Sequence, residues 1–350
     1  MTAPTSTSAP TATGTGSPAY SMLDLAAVGE GETIADSFRS SVELARRAEA
    51  AGYRRIWYAE HHNIASIASS ATSVLIAHVA AHTDRIRLGS GGVMLPNHSP
   101  LVIAEQFGTL ATLHPDRIDL GLGRAPGTDQ ITWRAMRRDP AASERFPEDV
   151  LELQAFLGDE SRVSGVRAIP GEGTHVPLYI LGSSLFGAQL AAKLGLPYGF
   201  ASHFAPGALH DAVRLYRDRF EPSAQLAEPY VIAGVNVAIA ETEEAARAKF
   251  ERTRRARTRS LFGRSVERRL TDAEVDAILA SPQGAHVDQM MTYTAVGERD
   301  VVRAYLDDFR SRCGADELMV VHHATDAAGR LESVDLLAEA VGLEGAATPA

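Results

Sequence analysis

The amino-acid sequence predicts a single parallel α/β barrel of eight strands, a (β/α)8 architecture. Predicted strands and helices alternate along the whole length of 350 residues, and no shift in composition marks a boundary between two domains. About eight strands with intervening helices favour a closed parallel barrel over an open sheet. With 45% hydrophobic residues, the chain can also fill a large core. Residues 19–345 are therefore predicted to form one domain.

The individual elements follow from apolar periodicity and from residues that start or stop helices. Thr33 with Asp36 three residues later resembles a capping box at the start of the first helix, and Gly52 ends that helix. Ser99 and Pro100 start another helix. Strands are predicted at residues 21–26, 55–60, 86–89, 118–123, 178–181, 198–201, 230–240 and 317–322. Helices are predicted at residues 34–51, 70–82, 100–113, 142–157, 185–194, 206–220, from 243 onward, 301–312 and 331–341.

One segment of the chain, residues 263–292, shows no clear periodicity. It contains Ser281, Pro282 and Gly284, which are typical of loops. We expect an irregular, mobile insertion that acts as a lid and precedes the last helix–strand unit.

The composition and the chain ends exclude several classes of protein. The first 18 residues are small and polar, without the positive start and apolar core of a signal peptide, and are predicted to be a disordered tail. No apolar run is long enough to span a membrane. The net charge of −10 argues against a nucleic-acid partner. The basic run at residues 252–259 is interpreted as the solvated face of a helix, and the single cysteine, Cys313, favours a cytoplasmic setting.

The most informative segment is residues 89–127, in which two predicted strand ends are separated by one helix. Glycines, among them Gly91 and Gly92, follow the first strand, and Gly123-Arg124 ends the second. Ligands of parallel α/β proteins bind at the carboxyl ends of strands. The spacing of GLGRAPG does not match the dinucleotide-binding glycine motif, which excludes that type of site. Arg124 is interpreted as a phosphate-binding residue, with a surface salt bridge as the alternative.

Two further strand ends carry side chains that can take part in chemistry. His61 and His62 follow the second strand, where adjacent residues point to opposite sides, so a shared metal ion is not favoured. His61 is a candidate acid, base or hydrogen-bond partner, and a structural histidine is the alternative. Ser183 and Ser184 follow the fifth strand and open a helix. Their hydroxyls and the free amides form a candidate phosphate site, although an ordinary N-cap explains a serine there as well.

Taken together, these pieces resemble the bacterial luciferase-like flavin monooxygenases, over about residues 20–341. The single-component branch that includes actinobacterial polyketide-tailoring oxygenases is the most similar. The resemblance is carried by AEHHN at 59–63, IRLGSGGVMLPNHSPLVIAEQFGTL at 86–110, DRIDLGLGRAPGTD at 116–129, LGSSLFGAQLAAKLGLP at 181–197 and GADELMV at 314–320.

The resemblance implies a fold, a cofactor and a reaction. The family fold is a TIM barrel, usually a homodimer. Its members bind reduced FMN (FMNH2), often delivered by a separate flavin reductase, and oxygenate a small-molecule substrate through a flavin C4a-peroxide. The family's catalytic histidine falls on His61, and its phosphate-binding arginine and serine fall on Arg124 and Ser183. A second phosphate arginine aligns with Arg145.

The sequence also departs from luciferases. Gly91-Gly92 stands where luciferases have two alanines joined by a cis peptide, and the small size needed next to a flavin ring is kept. Gly182 replaces a glutamate of the cofactor grip, and the reactive cysteine of luciferases has no counterpart, so light emission is not predicted. Epoxidation or hydroxylation of a polyketide is the predicted reaction. The alternatives are an F420-dependent hydride-transfer enzyme and a non-catalytic flavin-binding protein.

Overall fold

The strands of the protein form a closed parallel barrel. The computed structural model describes residues 18–125, 127–263 and 269–345. Every strand pairing within these residues is parallel. The strands are β1 (Ala19–Asp24), β2 (Arg55–Tyr58), β3 (Arg87–Met94), β4 (Ile118–Gly123), β5 (Leu178–Gly182), β6 (Tyr198–Phe200), β7 (Val231–Ile239), β8 (Thr294–Gly297) and β9 (Glu317–His322).

Eight of these strands form the barrel wall, in the order β1 to β7 followed by β9. The pairing of β6 with β7 and of β9 with β1 closes the ring. The predicted eight-stranded barrel is therefore confirmed. The short strand β8 was not predicted, and it pairs only with the last four residues of β7, Asn236–Ile239. Because the earlier part of β7 pairs with β9, β8 lies outside the closed ring.

Helices surround this barrel and connect its strands. They are α1 (Ile34–Ala51), α2 (Thr72–Ala80), α3 (Pro100–Leu113), α4 (Gln130–Ala135), α5 (Phe146–Leu157), α6 (Leu185–Leu194), α7 (Leu209–Asp218), α8 (Glu243–Phe262), α9 (Asp272–Leu279), α10 (Pro282–Met290), α11 (Arg299–Cys313) and α12 (Ala327–Val341). The capping box of Thr33 and Asp36 is present, and Gly52 ends α1 in the left-handed conformation with φ 91°. In the described part of the chain, no helix combines the length and apolarity needed to cross a membrane.

The prediction of an irregular segment at residues 263–292 is wrong for most of its length. Thr271 and Glu274 form a capping box that starts α9, and Ser281 caps α10 with Pro282 in its first turn. Serine followed by proline is a helix start as well as a loop signal, which explains the error at α10, whereas the capping box of α9 was overlooked. The short helix α4, capped by Asp129, was also not predicted. Residues 264–268 of this segment, and all of the predicted tail except Pro18, lie outside the described residues.

A buried network of charged side chains fills one end of the barrel interior. Arg55 on β2 has no exposed side-chain surface and pairs with Asp119 on β4, with 2.7 Å between Nη1 and Oδ2. Arg55 also pairs with Glu317 on β9, with 3.0 Å between Nε and Oε1. The Tyr230 hydroxyl donates to Glu317 at 2.7 Å, and Arg55 donates to the Tyr179 hydroxyl at 2.7 Å. The network thus links the strands β4, β5 and β9 to one arginine on β2.

The pKa of Asp119 reflects this arrangement. Burial acts to raise the pKa, but the charges of Arg55 and Arg87 outweigh it and hold the value below the ordinary range for aspartate. A carboxylate with a lowered pKa contributes stability above its unfolded pKa of about 3.9, and this contribution is lost as the pH falls through the folded value.

We predict that Arg55→Leu lowers the free energy of unfolding by about 3–5 kcal/mol, because it leaves two buried carboxylates without their shared cation. Thermal unfolding at neutral pH measures the effect, and the exposed Arg85→Leu is the matched control. The deficit should shrink as the pH falls below about 4, where Asp119 of the unfolded chain starts to be protonated, and further as the pH falls through its lower folded-state pKa. Equal stability of the two variants at neutral pH would contradict the role of the network.

Candidate active site

A large cavity opens at the carboxyl ends of the barrel strands. Its volume is about 710 Å³, within the range typical of ligand-binding sites. Its wall is mostly apolar, with Trp57, Phe146, Leu181, Phe200 and Met319 among the contributors. The charged network around Arg55 closes the other end of the barrel. The cavity contains most of the residues singled out in the sequence: His61, Gly91, Gly92, Arg124, Ser183 and Ser184.

Gly91 and Gly92 contribute bare backbone to the cavity wall, and the peptide bond between them is cis. A Cβ on Gly91 would lie 2.8 Å from Leu23 Cδ1 and 2.9 Å from Trp57 Cβ. A Cβ on Gly92 would lie 2.7 Å from the Gly121 carbonyl oxygen. The barrel interior is thus packed directly against these residues and leaves no room for side chains. The result is a backbone surface that a planar ring can approach closely.

A site suited to an anion lies at the ends of β4 and β5. The Arg124 guanidinium is exposed and lies over the Phe186 ring, 4.2 Å from its centroid. Arg124 forms no ion pair with any of the described residues, so the salt-bridge alternative has no partner there. Ser184 is the N-cap residue of α6, but its side chain makes no capping hydrogen bond. The first amides of α6 and the hydroxyls of Ser183 and Ser184 therefore lie beside an arginine at the cavity wall, an arrangement that favours phosphate.

Arg145 is not among the cavity-lining residues. It is exposed at the end of the 3-10 helix Pro140–Arg145. Ser143 and Phe146, close to it in the sequence, do line the cavity. Arg124, Ser183 and Ser184 thus line the same cavity, whereas Arg145 lies beside the cavity and does not contribute to its wall.

Glu60 fixes the loop that carries His61. This buried carboxylate accepts hydrogen bonds from the Met94 amide at 2.9 Å and from the Asn97 side chain at 3.1 Å, and it contacts Nε2 of both His62 and His98 at 2.9 Å. Burial acts to raise its pKa, but the hydrogen bonds from the histidines and the amide outweigh burial and lower the pKa to about 2. The ionised Glu60 thereby joins the end of β2 to the end of β3. Sequence reasoning did not identify this role.

His61 itself points to the cavity and is half-buried. Its Nδ1 lies 3.4 Å from the Gly127 carbonyl oxygen. A carbonyl oxygen only accepts, so this contact favours the tautomer with the proton on Nδ1 and a basic Nε2. His62 contacts Glu60 instead. Within the ranges that the structure describes, no group of three or more His, Cys, Asp or Glu side chains is arranged to hold a metal ion.

The structure adds a cation that sequence reasoning missed. Arg257 on α8 lines the cavity, and its Nη1 is buried without a hydrogen-bond partner. The interpretation of residues 252–259 as a solvated helix face is wrong here. Arg254, Arg255 and Arg259 are only about one-fifth exposed and pair with acidic residues of α9 and α10. A run of arginines on one helix does not reveal which of them a neighbouring element covers.

Two histidines share the corner of Arg257. His203 lines the cavity after β6, and His323 follows β9. Burial lowers the pKa of each to about 3, and the positive charge of Arg257 contributes to both shifts. Both imidazoles are therefore neutral at physiological pH, which leaves Arg257 as the charged group of this corner. Gly234 makes room for His203, because a Cβ there would lie 2.3 Å from its Nδ1.

Comparison with known proteins agrees with this geometry. Residues 10–317 match the family model described as luciferase-like monooxygenase. A luciferase-like monooxygenase of Escherichia coli (strain K12) is 46% identical over 319 residues, which are 91% of this chain and 95% of the relative. The N-acetyl-S-alkylcysteine monooxygenase of Bacillus subtilis (strain 168) is 41% identical over 213 residues, which are 59% of this chain and 64% of the relative.

Solved structures show the same fold. Apo-MsnO8 superposes with a TM-score of 0.83 at 36% identity, over 93% of this chain and 99% of that chain. Two structures of low identity share the fold alone: the oxygenating constituent of 3,6-diketocamphane monooxygenase from Pseudomonas putida with FMN (TM-score 0.68, 15% identity, 92% and 97% coverage), and an F420-dependent secondary alcohol dehydrogenase (TM-score 0.69, 14% identity, 92% and 98% coverage). The chain belongs to the luciferase-like monooxygenase family of flavin-dependent oxidoreductases.

Proposed function

We propose that the protein is a monooxygenase that uses reduced FMN and O2 to oxygenate an organic substrate in the cavity. The observation that carries this proposal is the pairing of an anion site with a bare backbone surface in one cavity. Arg124, Ser183, Ser184 and the start of α6 suit the FMN phosphate. The Gly91-Gly92 backbone suits the flat ring system.

Each of these groups has a distinct task. Reduced FMN supplies the electrons with which O2 is activated. Arg124 and the α6 amides hold the phosphate, and the apolar walls keep water away from the reacting atoms. His61 holds or moves a proton beside the flavin through its Nε2. Glu60 acts through His61, because it holds the loop that positions this imidazole.

The rival functions differ in cofactor or in chemistry. An F420-dependent hydride-transfer enzyme would use the same fold, as the F420-dependent alcohol dehydrogenase does. Measured affinities for FMN and F420 distinguish the two enzymes. A non-catalytic flavin-binding protein would have no need of a histidine in the cavity, so the position of His61 favours an enzyme.

The substrate and the source of reduced flavin stay predictions. Epoxidation or hydroxylation of a polyketide follows from the family resemblance, while the relative from Bacillus subtilis is named for N-acetyl-S-alkylcysteine. A screen of both substrate types, with a flavin reductase supplying reduced FMN, tests both proposals together.

We also propose that α2 and α3 form the interface of a homodimer. Val74 on α2 is 67% exposed and Leu113 on α3 is 65% exposed, and the two helices are joined by a hydrogen bond from Ser73 to Gln106 at 2.8 Å. Analytical ultracentrifugation at micromolar concentration should show a dimer. Val74→Asp should dissociate the dimer because it places a charge in an apolar interface, and the exposed Val301→Asp on α11 is the control. A monomeric unmodified protein would refute the proposal.

For the cofactor, Arg124→Ala should weaken FMN binding by about 1.5–3 kcal/mol, because a charge-assisted hydrogen bond to the phosphate is lost. Fluorescence titration with FMN and with riboflavin measures this effect, since riboflavin lacks the phosphate and should bind both proteins equally. Arg145→Ala tests the second arginine and should cause a smaller loss because Arg145 lies outside the cavity wall. Unchanged FMN affinity of Arg124→Ala would remove Arg124 from the site.

For the reaction, His61→Ala should lower the rate of product formation by about 10²–10⁴-fold, the usual contribution of a positioned acid or base. The variant should bind FMN and unfold like the unmodified protein, and it should release hydrogen peroxide in place of product. The exposed His286→Ala is the control. If the rate is unchanged, His61 is not catalytic. If flavin affinity and thermal stability fall with the rate, His61 is structural.

A further inference from the structure

Arg257 is a cation in the cavity wall without a counter-ion among the described residues. Two of the three acidic residues of its own helix pair with other groups: Glu243 with Arg247, and Glu251 with Arg254. The third, Glu244, is in the first turn of α8, about 20 Å along the helix from Arg257. Burial lowers the pKa of Arg257. A guanidinium nevertheless stays protonated in proteins. Among the described residues, the mostly apolar cavity wall therefore holds a second positive charge without a counter-ion, in addition to Arg124.

This arrangement is costly for the protein alone. Leaving a buried donor such as Nη1 without a partner costs about 1–3 kcal/mol, and more when the group is charged. The neighbouring His203 and His323 are neutral, so they do not compensate the charge. Unsatisfied groups of this kind concentrate at functional sites, where a ligand supplies the missing partner.

The position of Arg257 separates it from the proposed phosphate site. Arg257 is on α8, which follows β7, and it shares its corner with His203 after β6 and His323 after β9, whereas Arg124 follows β4. In the closed order β1 to β7 and β9, the strands β6, β7 and β9 are two, three and four strands from β4, so none of them adjoins β4. One cation of the cavity is thus next to the anion site of α6, and the other belongs to a different part of the cavity wall.

We infer that Arg257 binds the carboxylate of an anionic substrate whose apolar body lies in the cavity. The inference rests on the proposed function for its assignment of Arg124 to the cofactor. The planar guanidinium matches the two oxygens of a carboxylate. One positive charge between two neutral histidines balances a monoanion, whereas a phosphate dianion would leave charge uncompensated. The rest of the wall, including Leu261 and Met290 beside Arg257, receives an apolar group.

The test uses two probes of nearly the same shape, 4-phenylbutanoate and 4-phenylbutanamide, in which an uncharged amide replaces the carboxylate. Isothermal titration calorimetry of the FMN-saturated protein should show the carboxylate binding about 10-fold or more tighter than the amide. Arg257→Met should reduce this preference to less than about 2-fold, and Arg257→Lys, which keeps the charge but not the planar fork, should be intermediate. The exposed Arg252→Met on the same helix is the control and should keep the full preference.

Thermal unfolding distinguishes a binding role from a structural one. Because Arg257 has no partner to lose, Arg257→Met should unfold at the same temperature as the unmodified protein or at a higher one. A purely structural arginine would lower that temperature. If the unmodified protein does not distinguish the two probes, or if Arg257→Met still does, the inference is wrong.

A second pair of measurements separates the inference from the proposed function. Arg257→Met should keep the preference for FMN over riboflavin, and Arg124→Met should lose it while keeping the preference for carboxylate over amide. Loss of the FMN preference in Arg257→Met would make Arg257 a cofactor-phosphate residue and overturn the inference. If the unmodified protein does not bind FMN, the titrations with the carboxylate and the amide are repeated without FMN on Arg124→Met, so that Arg124 cannot bind the carboxylate. A preference for the carboxylate that is lost when Arg257→Met is added to this variant would support the inference, although the proposed function had failed.

Discussion

The fold depends on one buried arginine. Arg55 pairs with Asp119 and Glu317, and these three residues come from β2, β4 and β9. A barrel interior must be filled. This one is filled at one end by paired opposite charges and at the other end by apolar residues around a cavity. The same strand, β4, carries Asp119 in the network and leads to Arg124 at the opposite end. Closing one end of the barrel thus places the ligand site at the other.

The charged residues of the cavity differ from those of the network in whether they have ion-pair partners. Arg55 is surrounded by carboxylates, whereas neither Arg124 nor Arg257 has an ion-pair partner among residues 18–125, 127–263 and 269–345. These two cations and the Gly91-Gly92 backbone line one cavity whose wall is mostly apolar. Such a pattern suits two ligands bound side by side, each carrying an anionic group at its outer end. On our proposals, a cofactor phosphate would bind at Arg124 and a substrate carboxylate at Arg257.

The sequence predicts the barrel well because its elements are encoded locally. Apolar periodicity and the Thr33 capping box give the order of strands and helices, and strand ends that carry Arg124 and His61 can be recognised without a structure. Tertiary partners are not encoded in this way. The pairing of Arg55 with Glu317 joins residues far apart in the chain, and Arg257 differs from its neighbouring arginines only in what packs against it. The helix α10 was missed because Ser281 and Pro282 signal a loop and a helix start equally, whereas the Thr271 and Glu274 capping box of α9 could have been recognised in the sequence.

The central claim is that this cavity holds FMN with its phosphate at Arg124. A crystal structure of the protein in complex with FMN tests it most directly. The account predicts phosphate oxygens within hydrogen-bond distance of the Arg124 guanidinium and the Ser183 and Ser184 groups, with the ring system against Gly91-Gly92 and the Arg257 side left open. A phosphate bound at Arg257, or a ring placed away from the two glycines, would contradict the account.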